Sequence, residues 1–327
     1  MRKFFKILAY VTGSFVVLLL MGIIYFNTTF PKVDRAPDIK VDITQARIAR
    51  GKYLANHVAG CIACHSERDW TKYAAPVMPG TLGKGGEVFD KQTDGVPGAL
   101  YAYNITPANL GNWTDGEIIK AITCGVNKSG EALFPLMPYM PFNKLSKEDL
   151  YSIVAYLRTL KPIKNDVPKR TLDFPLNFIV KTMPLRSYTP QPEPDTSNML
   201  AYGKYLVGIA SCITCHTQMI KGQPVKGMEY AGGFEFHMSG GVVRSANITP
   251  DSATGIGSWS EAMFINYIKS FASDSMKNIA MRPNQFNTPM PLTQFAGMTD
   301  HDLAAIYTYL RTVKPIHNSV VWFTRDN

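Results

Sequence analysis

Two pentapeptides hold the residues best placed to do chemistry: Cys61-Ile62-Ala63-Cys64-His65 and Cys212-Ile213-Thr214-Cys215-His216. Cys-x-x-Cys-His is the attachment signature of c-type haem. Two thiols at this spacing can add across the two haem vinyl groups, and the adjacent histidine then lies under the iron. Cys61, Cys64, Cys212 and Cys215 are therefore the candidate attachment residues, and His65 and His216 the proximal ligands, for two covalently bound c-type haems. Rival chemistries fit less well. A structural zinc site calls for two more Cys or His at short spacing, and neither motif has them nearby. A thioredoxin-like dithiol needs no histidine after its second cysteine, and a disulfide across two residues closes a strained ring.

A haem iron with a proximal histidine has one axial position left, and its occupant separates electron transfer from chemistry on oxygen species. Met137 and Met290 are the candidates. Pro138 follows the first, and Pro289 and Pro291 bracket the second, so each lies in a loop with a fixed backbone. With 15 methionines in the chain, most are core fillers. Internal repetition singles these two out, because Met137 aligns with Met290 whereas the nearby Met140 aligns with Thr293. His57, His237, His301 and His317 have no partner at the matching place in the other copy, which argues against bis-histidine haems.

The elements around these residues occur twice in the same order. Gly51-Lys52-Tyr53-Leu54 and Gly203-Lys204-Tyr205-Leu206 precede the two motifs. Paired glycines follow, Gly85-Gly86 and Gly232-Gly233, and then Asn104-Ile105-Thr106-Pro107 and Asn247-Ile248-Thr249-Pro250. Trp113 and Trp259 come next, each opening an amphipathic stretch, and each has one indole N–H suited to a haem propionate or to plain core packing. Asn104 and Asn247 read as turn residues in the haem surroundings. Each copy closes on a helix. Leu150, Ile153, Val154 and Leu157 share one face, as do Leu303, Ile306, Tyr307 and Leu310. Thr114 with Glu117 forms a capping box. Ser146 with Asp149 and Thr299 with Asp302 resemble boxes with a shorter acid, and Pro162 and Pro315 stop the two closing helices. Strand signals are scarce, so each copy is expected to be mainly α-helical.

The chain has 327 residues and a net charge of +9. Three of the positive residues, Arg2, Lys3 and Lys6, precede an uncharged run from Ile7 to Phe26. That run is long enough to cross a bilayer as a helix, ends without a small-x-small cleavage site, and is oriented by the preceding positive charge with its N-terminus in the cytoplasm. The expectation is a single-pass anchor in a bacterial inner membrane with the haem-bearing parts in the periplasm. The remaining charge is mild, 17 basic against 13 acidic residues over 27–165 and 14 against 12 over 166–327. No basic run points to nucleic acid. Residues 162–199 hold seven of the 22 prolines and read as a stiff linker. The remaining cysteine, Cys124, falls in a helical pattern as a small buried residue.

In combination, Cys-x-x-Cys-His, Asn-Ile-Thr-Pro, the Trp-opened helix and Met137-Pro138-Tyr139 before the Leu145-Ser146-Lys147-Glu148-Asp149-Leu150 helix resemble the cytochrome c subunits of membrane-associated bacterial alcohol, aldehyde and gluconate dehydrogenases. The resemblance covers roughly 45–162 and 198–316. It implies that both copies are class I cytochrome c-like domains with His/Met haems; together with the apolar run, the expected fold is mainly α, two tandem class I cytochrome c-like domains after one N-terminal transmembrane helix, where family members commonly carry three haem domains. The expected organisation is a cytoplasmic N-terminus (1–6), an anchor (7–26), a linker (27–44), domain 1 (45–162), the Pro-rich linker (163–197), domain 2 (198–316) and a tail (317–327). The implied role is a carrier with no catalytic residues of its own, passing electrons one at a time between a dehydrogenase subunit and a downstream acceptor in the respiratory chain. The rival readings are a cytochrome subunit of a terminal oxidase and a dihaem peroxidase. Matched methionines in both copies speak against the peroxidase, which needs an open iron.

Overall fold

The computed structural model describes residues 1–91, 95–220, 222–238, 240–282 and 284–326. Helix α1, Arg2–Thr29, carries the apolar run and buries none of its residues. It is long and apolar enough to cross a membrane.

Beyond it, the chain forms two halves with the same order of elements. In the first, α2 (Gln45–Tyr53) runs through a π-helical turn, Leu54–Val58, to a single turn at Cys61–Cys64. Helices α3 (Asp115–Cys124) and α4 (Lys147–Thr159) follow. The second half repeats this with α5 (Met199–Ile209), a turn at Cys212–Cys215, α6 (Glu261–Ser270) and α7 (Asp300–Leu310). The starts of these helices follow from their caps. Thr114 and Glu117 form a complete capping box at α3, and Ser260 accepts from the Met263 N–H at α6.

Two glycines set how closely the helices approach. A Cβ at Gly51 would lie 1.8 Å from the Ser152 carbonyl oxygen, and one at Gly203 1.9 Å from that of Ala305. α2 therefore crosses α4, and α5 crosses α7, backbone against backbone. The apolar faces read from the sequence turn inward there. Leu150, Ile153, Val154 and Leu157 are buried, as are Leu303, Ile306 and Leu310, while Tyr307 is half-buried and donates to the Trp259 carbonyl at 2.7 Å.

The second acids of the expected short capping boxes behave differently from expectation. The Ser146 and Thr299 hydroxyls do cap α4 and α7, accepting from the N–H groups of Asp149 and Asp302. Asp149 and Asp302 do not return the bond to the cap residue, because an Asp side chain is one methylene shorter than the Glu of a capping box. They face the opposite half instead. Tyr205 donates to Asp149 at 2.7 Å and Tyr53 donates to Asp302 at 2.6 Å. Backbone pairing adds to this join, with Tyr73 N–H on the Ile279 carbonyl and Met281 N–H on that of Thr71. One apolar cluster runs through both halves, from Leu54, Leu150 and Ile153 to Tyr202, Leu206 and Leu303.

Short strands also occur in both halves. β1 (Val88–Asp90), β2 (Gly98–Tyr101) and β3 (Thr171–Leu172) form one antiparallel sheet, and β4 (Glu235–Met238), β5 (Gly241–Arg244) and β6 (Phe323–Arg325) another. A two-stranded ribbon pairs Met219–Ile220 with Gln223–Pro224. None of these strands exceeds four residues, too few to show a period of two in the sequence. β3 comes from the stretch expected as a linker and β6 from the expected tail, so both stretches are edge strands of a half. The rest of the Pro-rich stretch lies along the first half, where Asn143 donates to the Ser187 carbonyl and Tyr188 to that of Leu145.

Candidate functional site

Cys61, Cys64, His65, Trp113 and Met137 line one largely apolar cavity in the first half. Its walls include Ile105, Leu110, Ile118, Phe134, Phe142 and Leu157, so α3, α4 and the loop before Tyr139 close around the Cys61–Cys64 turn. Met140 is exposed and is not in the lining. None of His57, His237, His301 and His317 is in the lining. The His57 ring instead bonds to the Gln294 carbonyl in the other half at 2.9 Å, and that of His301 to the Thr196 carbonyl at 3.0 Å.

The local chain geometry aims the histidine. Gly60 takes a left-handed conformation (φ 67°) ahead of the turn, and His65 ends it at φ −96°, ψ 23°. The Gly85 N–H then bonds to the His65 carbonyl at 2.8 Å. Gly85 has φ 72° and its missing Cβ would lie 2.5 Å from the Asn104 nitrogen, so the position requires glycine. His65 Nδ1 bonds to the Tyr103 carbonyl oxygen at 2.7 Å. Only an Nδ1–H can donate there, which leaves Nε2 with its lone pair free to bind a metal. Burial pushes the His65 imidazole below its ordinary value, which also favours the neutral ligand form.

The second half repeats this geometry. Ser211 takes the left-handed position (φ 57°) and His216 has the same φ −96°, ψ 23°. The Gly232 N–H bonds to the His216 carbonyl at 2.8 Å, and His216 Nδ1 to the Ala246 carbonyl oxygen at 2.8 Å. His216 is buried, while Cys212, Trp259 and Met290 are half-buried against the core. Trp259 stacks edge-on to Tyr267 at 5.4 Å. No disulfide joins any of the five cysteines. Burial pushes Cys61 and Cys212 up to about 12.

Asn104 and Asn247 are placed as turn pins. The Asn104 side-chain oxygen accepts from the N–H and hydroxyl of Thr106 while its amide donates to the Ile163 carbonyl. Asn247 does the same with Thr249 and Ile316. Asn104 is not in the cavity lining; the next residue, Ile105, is. The arginines of the closing helices also shape the two sites. Arg158 donates to the carbonyls of Leu110 and Trp113, and Arg311 to those of Ile256 and Gly257, so each holds the loop that carries the tryptophan. Their repetition as Leu157-Arg158-Thr159 and Leu310-Arg311-Thr312 was the available signal. Arg170 and Asn127 line the cavity as well, with no repeated motif to mark them.

Residues 200–314 match the cytochrome c family. This stretch is a cytochrome c domain. It contains the second Cys-x-x-Cys-His motif and Met290. Such a domain implies a covalently attached c-type haem. The cytochrome c subunit of a quinone alcohol dehydrogenase from Gluconacetobacter polyoxogenes is 29% identical over 303 residues, covering 87% of this chain and 60% of that protein. The fructose dehydrogenase cytochrome subunit of Gluconobacter japonicus is 31% identical over 277 residues, covering 81% of this chain and 52% of its own. A diheme cytochrome c-type protein of Cereibacter sphaeroides is 26% identical over 321 residues and aligns over 93% of this chain and 98% of its own length. The chain thus spans about 60% of the length of the alcohol dehydrogenase subunits it matches.

The cavity in the first half fits the same group as the cytochrome c domain. It is apolar, has two thiols and an imidazole on one wall, and has a thioether in its lining. One side-chain N–H of the lining residue Arg170 is buried without an acceptor. Among the described residues no set of three or more His, Cys, Asp or Glu is gathered as a metal site, which leaves zinc without a ligand set.

Proposed function

We propose that this chain is a membrane-anchored dihaem c-type cytochrome, an electron carrier rather than a catalyst. The observation that carries the reading is the convergence of Cys61, Cys64, His65 and Met137 on one apolar cavity. In the proposed organisation, residues 45–162 and 198–316 are tandem cytochrome c-like domains and residues 7–26 anchor them to the bacterial inner membrane. The haem domains lie in the periplasm. Cys61 and Cys64 would hold the first haem covalently, with His65 and Met137 as its iron ligands; Cys212, Cys215, His216 and Met290 would do the same for the second.

A bound haem supplies reversible one-electron chemistry at its iron. The protein contributes ligands that do not need to move. The Tyr103 and Ala246 carbonyls fix the two imidazoles, and prolines beside Met137 and Met290 limit the freedom of the thioethers. A closed, rigid ligand set suits electron transfer, whereas a peroxidase needs a vacant axial position. By similarity to the dehydrogenase cytochrome subunits, the donor is a dehydrogenase subunit and the acceptor a component of the respiratory chain.

The test is to purify the full chain from a host that matures c-type cytochromes, count haems by pyridine haemochrome, and identify partners by mild-detergent pull-down. Two low-spin haems inert to cyanide, together with a dehydrogenase subunit in the pull-down, are expected. One haem or none, a resting haem that binds cyanide, or a copper–haem oxidase as the recovered partner would each sink the reading.

A further inference from the structure

Among the described residues three buried side-chain polar atoms lack a hydrogen-bond partner, and one of them, Nη1 of Arg170, belongs to a residue lining the cavity of the first half. The rest of that guanidinium is engaged. Nη2 lies 3.2 Å from Glu131 Oε1, and the Arg170 side chain is only 16% exposed. Glu131 is also held from its far side, where Asn127 donates to Oε2 at 3.3 Å. A buried guanidinium N–H without an acceptor is costly, far more so than an exposed one, and native structures keep few of them. An arginine fork also favours planar, two-oxygen acceptors. Because Arg170 lines the cavity, a carboxylate bound there would complete this corner.

We propose that Arg170 binds a haem propionate in the first cavity and, through its charge, sets the potential of that haem apart from the second. The proposal rests on the reading that the first cavity holds a haem. Arg170 reaches the cavity from the Pro-rich stretch, which β3 pins to β2 through Ala99 opposite Thr171 and Gly98 opposite Leu172. The second half has the same pairing, with Val242 opposite Thr324 and Gly241 opposite Arg325. The match is close, because a Cβ at Gly98 would lie 2.2 Å from the Thr171 carbonyl oxygen and one at Gly241 2.2 Å from that of Thr324. The residue in the place of Arg170 is then Phe323, whose ring packs edge-on against Phe286 at 6.0 Å. At this strand position the first half has a cation and the second an aromatic ring. A nearby cation favours the reduced, less positive iron, so Arg170 raises the potential of the first haem.

The test is a spectroelectrochemical titration of the full haem-loaded chain beside Arg170→Gln and Arg170→Lys, with haems counted in each sample. Met290→Ala, which moves the second midpoint, assigns the two waves. Arg170→Gln is expected to retain two haems and to lower only the first midpoint, by about tenfold in the one-electron equilibrium, or about 59 mV. Arg170→Lys is expected to fall between it and the parent chain. If Arg170→Gln fails to load the first haem, retention in Arg170→Lys with a lowered first midpoint supports the proposal. Two haems with unchanged midpoints in both variants would overturn it while leaving the dihaem reading intact. Loss of the first haem from both variants would also overturn it, assigning Arg170 to the wall it builds with Glu131. A parent chain without haem in the first half removes both readings.

Discussion

The Tyr53 hydroxyl donates a 2.6 Å hydrogen bond to Asp302 in the opposite half, and 3.1 Å from the same oxygen lies the Thr299 N–H at the start of the closing helix. The reciprocal pair is Tyr205 with Asp149 at 2.7 Å and the Ser146 N–H at 3.2 Å. Each half thus lends a tyrosine from its Gly-Lys-Tyr-Leu segment to the closing helix of the other. The two aspartates are not equivalent. Arg50 pairs with Asp149 through both carboxylate oxygens, at 2.7 and 3.0 Å, whereas among the described residues Asp302 has no such ion pair.

Removing either hydroxyl leaves a buried carboxylate with one donor fewer. A hydrogen bond to a charged group contributes roughly 1.5–3 kcal/mol. Tyr53→Phe is expected to destabilise the chain by about that amount, and Tyr205→Phe by less, because Arg50 still satisfies Asp149. Denaturant unfolding of the haem-loaded chain measures both; equal losses would mean that Arg50 does not compensate.

Alkaline pH should act through the same pair. Burial, reinforced by Asp302, raises the Tyr53 hydroxyl above its ordinary value, and burial with the charge of Asp149 raises that of Tyr205. A phenol held neutral in the fold stabilises fully below its unfolded pKa, near 10, and that contribution is lost as pH rises through the raised folded value. The melting temperature should therefore hold up to about pH 10 and fall above it. The fall should be shallower in the Tyr53→Phe/Tyr205→Phe double variant, and an identical slope in both proteins would contradict the assignment.

Gly51→Ala and Gly203→Ala each force a methyl group to within 2 Å of a carbonyl oxygen, at 1.8 and 1.9 Å respectively. Neither backbone can yield without separating its helix crossing. A loss of about 3 kcal/mol or more is expected for each, against the 1–3 kcal/mol typical of overpacking. Gly13→Ala, with nothing within 4 Å, is the neutral control. The readout is the yield and thermal stability of haem-loaded protein.

Met137→Ala and Met290→Ala are each expected to turn one of the two haems high-spin and open to cyanide, with the other unchanged. Met140→Ala should leave both spectra as they are, since Met140 is exposed while Met137 lines the cavity. Optical titration with cyanide reads all three; a ligand change in Met140→Ala would move the axial assignment.

Much of the site could be read in advance because it depends on local spacing. The Cys-x-x-Cys-His turns, the Gly85 and Gly232 positions and the Thr114 capping box are each decided within a few residues, and the duplicated order separated Met137 from Met140. Asn104 and Asn247 were legible as turn residues, but their partners Ile163 and Ile316 lie 59 and 69 residues away.

By itself, the sequence determined the two Cys-x-x-Cys-His motifs, the duplicated frame and the apolar N-terminal helix, since helical period and hydropathy act over short stretches. The tertiary structure alone decided which residues meet across long separations. It joined the halves through Tyr53–Asp302 and Tyr205–Asp149, turned two helix-capping acids into interface acceptors, and brought Arg170 from a proline-rich strap into the cavity. Such contacts depend on the packing of the whole chain, where a strand of two residues, Thr171–Leu172, can place a guanidinium without leaving any periodic trace in the sequence.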